Sequence, residues 1–307
     1  MSALAQLTED YLETRRALGY KLIGQGRILA AFVRYLDERG ATRITIESAL
    51  DFATQPADAD PIWWRHRLSA VRGLAVYVQA IDPTTEVPPT RLLGGVSPRA
   101  VPYLYEENEI VGLLAAASVL QPTLRAATYE TLIGLLAVTG MRVGEAIALN
   151  RDDVDLDSGL LTIAHPKFDR SRIVPLCPST TAALARYAAR RDELRPSCKE
   201  PSFFVSIRGT RLIYGCIQRS FSQLVQQVGL EPRSERCRPR LHDFRHRFAV
   251  ETLLGWYRSG ADVTANMPLL STFLGHAKPA NTFWYLSATP ELFSIVADRL
   301  ERSEVAR

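Results

Sequence analysis

The sequences LHDFRHRFAV, residues 241–250, and FLGHAKPANTFWYL, residues 273–286, hold the most informative side chains of this chain. The first stretch begins a helical apolar pattern. Its first histidine, His242, lies at the helix start, where backbone N–H groups favour an anion. Five of the side chains in these stretches matter for chemistry: His242, Arg245, His246, His276 and Tyr285. Imidazoles, a guanidinium and a phenol are the groups that phosphoryl transfer through a covalent protein intermediate requires. The two stretches therefore predict a phosphoryl-transfer site.

Two segments upstream add further charged groups. TGMRVGEAIAL, residues 139–149, contains Arg142 and Glu145, and HPKFDRSRIVPL, residues 165–176, contains Lys167. Glycines on both sides of Arg142 permit a tight turn and the close approach of a phosphate. Glu145 follows three residues later, near enough to hold the guanidinium. An isolated pair of this kind is usually a surface ion pair at a helix start, so a functional role depends on the other segments.

Taken in order, these segments resemble the tyrosine recombinase (phage integrase) family, in particular its Xer and transposon-integrase branches. The pattern of that family is Arg, Lys, His-x-x-Arg, His and then Tyr, and every position of it is filled. The resemblance covers the whole chain, and its specific motifs lie between residues 139 and 285. It implies catalytic roles for Arg142, Lys167, His242, Arg245, His276 and Tyr285, and supporting roles for Glu145 and His246.

The resemblance also implies how the work is divided. Tyr285 would be the nucleophile, Lys167 the general acid for the leaving oxygen, and His242 a partner in proton transfer with the tyrosine. Arg142, Arg245 and His276 would bind the non-bridging phosphate oxygens, so neither a metal nor another cofactor is expected. Where the family usually has a Gly-Lys-Gly type of turn, this chain has Pro-Lys-Phe at residues 166–168. Arg170 and Arg172 are nearby basic alternatives.

Pro and Gly are concentrated in EVPPTRLLGGVSPRAVP, residues 86–102, and stop both helix and strand. This segment predicts two domains, residues 1–87 and 103–307, joined by a linker at 88–102. The first has helical patterns only, and the resemblance implies a SAM-like core-binding domain there. The second predicts a mainly α domain with a small antiparallel sheet, because two short apolar runs, 160–164 and 172–176, flank a polar turn.

Several helix boundaries follow from apolar spacing and turn residues. Thr8 is a candidate N-cap for the first helix, Thr45 opens a third, and Pro61 stands in the first turn of a fourth. The 31 positions from Arg245 to His276 are more than we expect for compact Xer-type enzymes, and predict a longer loop near residues 260–267. After the linker, helices are expected at 108–119, 128–138, 180–194, 217–228 and 243–257. A last amphipathic segment, 290–300, predicts a helix that docks on a neighbouring protomer or packs on its own domain.

Local charge points to DNA more clearly than the total. The net charge is +4 and the pI about 8.9, whereas residues 202–250 hold nine arginines against three acids. Guanidinium groups match phosphate oxygens, although a solvated surface explains this excess equally well. The candidate contacts with the DNA backbone are Arg65, Arg67, Arg72, Arg170, Arg172 and Arg240.

Composition excludes several other classes. The length suits two domains, and the four scattered cysteines, with no C-x-x-C pair, argue against a zinc site. The N-terminal residues lack the apolar core of a signal peptide, and no apolar run is long enough to cross a bilayer. A cytoplasmic, nucleoid-associated protein is expected. The resemblance implies as partners double-stranded DNA with inverted-repeat core sites and a homotetramer, or a heterotetramer with a related recombinase.

Three other functions compete with integration or excision of a mobile element. A type IB topoisomerase uses nearly the same residues but religates the same strand. A non-catalytic DNA-binding protein of the same fold would lack the tyrosine or an arginine, and neither is missing. A metal-dependent nuclease needs an acidic ligand cluster, and none accompanies the histidines.

Overall fold

The protein is mainly helical and has one three-stranded antiparallel sheet, which confirms the predicted fold class. Backbone contacts divide it into two compact units, Met1–Arg99 and Ala100–Arg307. Within the described part of the chain, no helix is long and apolar enough to span a membrane. The computed structural model describes residues 2–94, 100–165, 170–276 and 280–287.

The first unit is a bundle of four helices: α1 (Ala3–Ala17), α2 (Ile23–Asp37), α3 (Ile46–Thr54) and α4 (Pro61–Gln79). The helices α3 and α4 begin where the sequence predicts. Thr45 and Ser48 form a reciprocal capping box at the start of α3, and Asp60 caps α4 ahead of Pro61. The N-cap predicted at Thr8 is wrong. Ser2 caps α1, and the buried Thr8 hydroxyl donates to the Leu4 carbonyl inside the helix.

One predicted DNA contact of α4 faces the protein interior instead. The Arg67 guanidinium lies 3.8 Å from the centroid of the Phe52 ring, and its Nη2 donates to the Phe52 carbonyl at 2.6 Å. Burial lowers the pKa of Arg67 from its ordinary value. The arginine packs on an aromatic core face because its planar cation stacks well there. The structure thus replaces the predicted phosphate contact with a role in joining α3 to α4.

The two ends of the predicted linker contact different units. Val87 and Leu93 lie against the core of the first unit, and Pro88 is buried. On the other side, the Val101 N–H donates to the Arg236 carbonyl at 3.1 Å, within the second unit. The chain therefore remains attached to the first unit beyond residue 88.

The second unit is built around a large apolar core that includes Leu113, Leu132, Leu161, Phe204 and Phe244. Glycines end several of its helices in left-handed conformations, as Gly140 does for α6 and Gly229 for α9. Its helices are α5 (Glu107–Ser118), α6 (Thr123–Thr139), α7 (Val143–Ala148), α8 (Pro178–Leu194), α9 (Tyr214–Val228), α10 (Asp243–Ser259), α11 (Val263–Leu274) and α12 (Ala280–Phe283). A 3₁₀ turn, Trp284–Ser287, follows α12.

The sheet contains β1 (Val154–Asp155), β2 (Leu160–His165) and β3 (Arg170–Pro175) in sequential antiparallel order. Leu161, Ile163 and Val174 point into the core, while Ile173 is exposed, as alternation along a half-buried strand requires. The register pairs Leu160 with Pro175 at one end and His165 with Arg170 at the other. The two apolar runs therefore form the hairpin that the sequence predicts, and Lys167, in segment 166–169, lies outside the described residues.

The longer loop predicted near residues 260–267 is absent, because helix takes up the extra residues. Helix α10 continues to Ser259 and ends at Gly260, and the Asp262 carboxylate caps α11 two residues later. Pro268 lies inside α11, where it removes one backbone donor. The predicted tail helix, 290–300, lies outside the described residues.

Candidate active site

Three arginines converge on the C-terminal end of α11. The carbonyls of residues 273, 274 and 275 each accept a hydrogen bond from a different guanidinium: Arg172 Nε at 2.8 Å, Arg245 Nη2 at 2.6 Å and Arg142 Nη2 at 3.1 Å. The last carbonyls of a helix have no partner within it and carry the negative end of the helix dipole. They therefore hold together three cations that would otherwise repel one another.

Two glycines make this arrangement possible. Gly275 adopts a φ of +68°, and a Cβ there would lie 2.5 Å from Nη1 of Arg172. Gly140 adopts a φ of +58°, and its carbonyl accepts from Arg245 Nη1 at 3.0 Å. A Cβ at that position would lie 2.7 Å from the Phe248 ring. Both positions require a residue without a side chain, in conformation as well as in space.

Glu145 binds two of these arginines. Its Oε1 accepts from Arg142 Nη1 at 2.8 Å, and its Oε2 accepts from Arg172 Nη2 at 2.6 Å. Oε2 also accepts from the backbone N–H of Arg142 at 2.9 Å, which caps α7. Burial alone would raise the pKa of this carboxyl, but the hydrogen bonds and charge of Arg172, followed by those of Arg142, lower it to about 2. Glu145 is therefore ionised at all physiological pH values.

Arg172 lies in this cluster and not on a DNA-facing surface. Its side chain is 8% exposed, and its donors are engaged by Glu145 and the Phe273 carbonyl. The sequence predicts a contact between this residue and the DNA backbone, and the structure corrects that role. An arginine that neutralises a buried carboxylate organises its neighbours and has little surface left for a ligand.

Arg245 is the most deeply buried of the three cations, at 2% exposure. Burial first, and the charge of Arg142 second, lower the pKa of Arg245 to about 10. Tyr285 opposes this shift through its charge and a hydrogen bond to the guanidinium. The Arg245 guanidinium therefore remains a cation at neutral pH, and it lies beside Tyr285, the predicted nucleophile.

Tyr285 itself is 2% exposed and packs between two histidine rings. Its ring lies parallel to that of His276, with centroids 6.0 Å apart, and inclined to that of His246, at 5.4 Å. The 3₁₀ turn that carries it packs against α10, where aliphatic residues such as Val250 and Leu254 form a small core with it. The phenol is thus fixed among the groups with which it was predicted to act.

His276 lies directly after the α11 C-cap. Its Nδ1 is 2.7 Å from the Thr282 hydroxyl oxygen, and Thr282 is 1% exposed. Burial, followed by the charges of Arg245 and Arg142, lowers the pKa of His276 to about 4. The imidazole is therefore neutral at physiological pH. Sequence reasoning missed Thr282, although a hydroxyl residue three positions before the predicted nucleophile was a signal that could have found it.

The other two histidines lie on α10. His242 is the N-cap residue and is exposed, whereas His246 is buried one turn later. Their ring centroids are 4.9 Å apart and nearly perpendicular. His246 therefore lies next to both His242 and the predicted nucleophile, Tyr285.

The remaining predicted DNA contacts belong to both units. Arg65 and Arg72 lie on α4 in the first unit, where they line a cleft of about 350 Å³ together with Arg91. Arg240 donates to both carboxylate oxygens of the buried Asp243, at 2.8 and 3.0 Å. Arg170 lies in β3, and only its backbone is described. Among the predicted catalytic residues, the structure brings together Arg142, Arg245, His276 and Tyr285 with their supports.

Among the described residues, no group of three or more His, Cys, Asp or Glu side chains could hold a metal ion.

Known proteins resemble this chain along most of its length. The model of the phage integrase family matches residues 104–291. "Putative integrase/recombinase y4rB" of Sinorhizobium fredii (strain NBRC 101917 / NGR234) is 43% identical over 308 residues, covering 98% of each chain.

Two solved structures share the fold at low sequence identity. The Tn1549 transposon integrase in complex with a circular intermediate DNA has a TM-score of 0.68 at 15% identity, covering 98% of this chain and 100% of that one. The XerH site-specific recombinase bound to palindromic difH substrate, in a post-cleavage complex, has a TM-score of 0.64 at 21% identity. That match covers 97% of this chain and 85% of the other.

Proposed function

Because the chain belongs to the phage integrase family of tyrosine recombinases, whose members are DNA strand transferases, we propose that it cleaves DNA through a 3′-phosphotyrosyl intermediate on Tyr285. It then exchanges strands by way of a Holliday junction and serves the integration or excision of a mobile element. Each part of this proposal extends the family assignment to particular residues and steps. The single observation that supports it is the convergence of Tyr285, two arginines and His276 at the end of α11.

The charge of the cluster suits the reaction. The Arg172 cation and the Glu145 carboxylate cancel, which leaves the two cations of Arg142 and Arg245 beside a neutral imidazole. A phosphodiester carries one negative charge, and attack by a phenolate brings a second into the five-coordinate transition state. Two cations that are fixed before the reaction therefore match the transition state better than the ground state.

The bond changes are an in-line exchange at phosphorus. The Tyr285 oxygen forms a bond to the phosphorus, and the bond from phosphorus to the 5′ oxygen of the next nucleotide breaks. In this proposal Lys167 donates the proton that the leaving 5′ oxygen takes up, and His242 assists the loss of the proton from the phenol. Attack by the 5′-hydroxyl of another strand reverses these changes. The ester stores the bond energy, so ATP is not needed.

The phenol proton needs a path out of a buried site. His246 is in ring contact with both Tyr285 and His242, and His242 is exposed at the start of α10. We assign to this pair of imidazoles the transfer of the proton between the nucleophile and solvent, since their order from buried to exposed follows that direction.

Recombination of two duplexes requires one nucleophile for each of four strands, which supports a tetramer on DNA with inverted-repeat core sites. Arg65 and Arg72 of the first unit are proposed to bind the DNA backbone, because both face the cationic cleft that includes Arg91. The role in a mobile element is supported by the similarity to the putative integrase/recombinase of Sinorhizobium fredii and by the fold shared with a transposon integrase.

The experiment that tests this function has two stages. Sites are first selected by binding the full chain to fragments of the host genome. Two differently labelled duplexes that carry the selected site are then incubated with the protein. A recombinase yields duplexes that join the two labels, whereas a topoisomerase relaxes supercoiled DNA but returns each label to its own strand. Cleavage that requires added Mg²⁺ and leaves no protein on the DNA would overturn the proposal.

A further inference from the structure

Thr282 and His276 form a buried contact that the reaction as described does not use. The Thr282 hydroxyl oxygen and the imidazole Nδ1 are 2.7 Å apart, and the threonine side chain is almost fully buried. Thr282 belongs to α12, which leads to the nucleophile, while His276 follows α11. The bond therefore ties the two sides of the site together.

We propose that Thr282 is a positioning residue that holds His276 in the tautomer with its proton on Nε2, so that the imidazole donates a hydrogen bond to the scissile phosphate. This inference rests on the proposed function, since it requires that His276 face the phosphate. Thr282 itself does not touch the DNA. It acts through the imidazole alone.

Whether His276 can donate to the phosphate depends on which ring nitrogen carries the proton. A neutral imidazole has one N–H and one lone pair, and the hydrogen bond at one nitrogen decides the state of the other. If Nδ1 accepts the hydroxyl proton of Thr282, Nε2 keeps its hydrogen and is a donor. If Nδ1 donated to the threonine, Nε2 would present a lone pair to phosphate oxygens, which are also acceptors.

The surroundings favour the first arrangement. Within the described residues, the Thr282 hydroxyl has no other hydrogen-bond acceptor than Nδ1. A second proton on the ring is disfavoured, because burial and the cations of Arg245 and Arg142 lower the pKa of His276. The imidazole is therefore neutral, and only its tautomer remains to be fixed.

The hydrogen bond between Thr282 and His276 also affects the position of Tyr285. Thr282 precedes Tyr285 by three residues, and the Tyr285 ring stacks on His276. A fixed imidazole plane therefore provides a surface against which the phenol rests. Loss of the hydroxyl frees the ring to rotate about its side-chain torsions and to adopt the other tautomer, which weakens contact with the phosphate.

The test is a set of variants in a DNA cleavage assay at saturating DNA. We expect Thr282→Val to slow cleavage by about tenfold, the scale set by leaving one buried group unpaired, and Thr282→Ser to restore most of the rate. In a His276→Trp background, Thr282→Val should change the rate little, because an indole has a single N–H and no tautomers. Thr264→Val, an exposed threonine on α11, is the matched control.

A direct readout accompanies the rates. The ¹⁵N shifts of the five histidines distinguish protonated from unprotonated ring nitrogens, and a His276→Gln variant assigns the signals. We expect a protonated Nε2 and an unprotonated Nδ1 at His276. A protonated Nδ1, or an equal cost of Thr282→Val in the His276→Trp background, would overturn the proposal. If His276→Ala cleaves at the normal rate, the role of His276 in the proposed function fails instead.

Discussion

Arg172 and Glu145 form a buried ion pair with an N–O distance of 2.6 Å, although 27 residues separate them in the chain. Because Glu145 also binds Arg142, the pair fixes the position of a guanidinium that the proposed reaction uses. Arg172 at the same time donates to the Phe273 carbonyl at the end of α11. The pair thus connects three elements, β3, α7 and α11, at the base of the site.

Removing the cation of this pair should destabilise the protein. Arg172→Met leaves the Glu145 carboxylate without one of its partners, and we expect a loss of about 3–5 kcal/mol in the free energy of unfolding at pH 7. Arg172→Lys, the matched control, keeps the charge but not the bidentate donors of the guanidinium, and should lose less unfolding free energy than Arg172→Met. Urea unfolding measures both. Equal stability of the wild type and Arg172→Met would contradict the organising role.

The ionisation of Glu145 should appear in the pH dependence of stability. Its folded pKa is about 2 against an ordinary value of 4.5, so its contribution is fully present above pH 4.5 and is lost as the pH falls towards 2. The difference in unfolding free energy between the wild type and Glu145→Gln should be constant above that range and shrink below it. A difference that grows on acidification would show that the carboxyl is not held ionised.

Substitution of Arg142 and of Arg245, the two arginines proposed to bind the phosphate, should differ in its effect on stability. Arg142→Ala and Arg245→Ala should each slow cleavage by on the order of a hundredfold or more, about 3 kcal/mol. Arg245→Ala should also lower stability strongly, because it leaves the buried carbonyls of Gly140 and Leu274 without their donor. Arg142 is 37% exposed, so its loss should cost less stability. Single-turnover cleavage and urea unfolding separate the effects, with the exposed Arg186→Ala as control.

Tyr285→Phe should bind DNA normally but form no covalent adduct. The substitution removes only the nucleophilic oxygen, while the ring keeps its contacts with His276 and His246. A nicked suicide substrate followed by denaturing electrophoresis detects the adduct. Tyr257→Phe, on α10, should still form it. A protease-sensitive adduct on Tyr285→Phe would assign the nucleophile to another residue.

The general acid can be identified with a modified leaving group. If Lys167 protonates the leaving oxygen, a substrate whose bridging 5′ oxygen is replaced by sulfur should largely rescue Lys167→Ala, because a thiolate leaves without a proton. Arg142→Ala and Arg245→Ala should gain far less. Equal rescue of all three variants, or none for Lys167→Ala, would move the proton donor to Arg170 or His165.

The pKa of His276 predicts a further pH effect. Because burial and nearby cations lower it from 6.5 to about 4, the unfolded chain binds this proton more readily than the folded protein. The stability that the neutral ring contributes is therefore fully present above pH 6.5 and is lost as the pH falls towards 4. The His276 ring signals in an NMR titration should show no protonation near pH 6.5. A midpoint near that value would contradict the buried, cationic surroundings.

Much of this protein follows from its sequence, because motif spacing and periodicity are local properties of the chain. The apolar runs on either side of Lys167 predicted the hairpin, and alternation of Leu161 and Ile163 places them in the core. Turn residues predicted the starts of α3 and α4. Helix α11 was not predicted, because the extra residues near 260–267 were interpreted as a longer loop, although Val263, Met267, Leu270 and Leu274 are buried at helical spacing.

The sequence alone determined which residues could carry the chemistry, since the role of a guanidinium, an imidazole or a phenol is indicated by its chemical type and by its position in the family pattern. Only the tertiary structure decided how the cations are used. Arg67 and Arg172 look like other surface arginines in the sequence, yet one stacks on Phe52 and the other pairs with Glu145. The physical reason is that the partner of a charge is set by burial and by distances across the fold, and neither is encoded in local spacing.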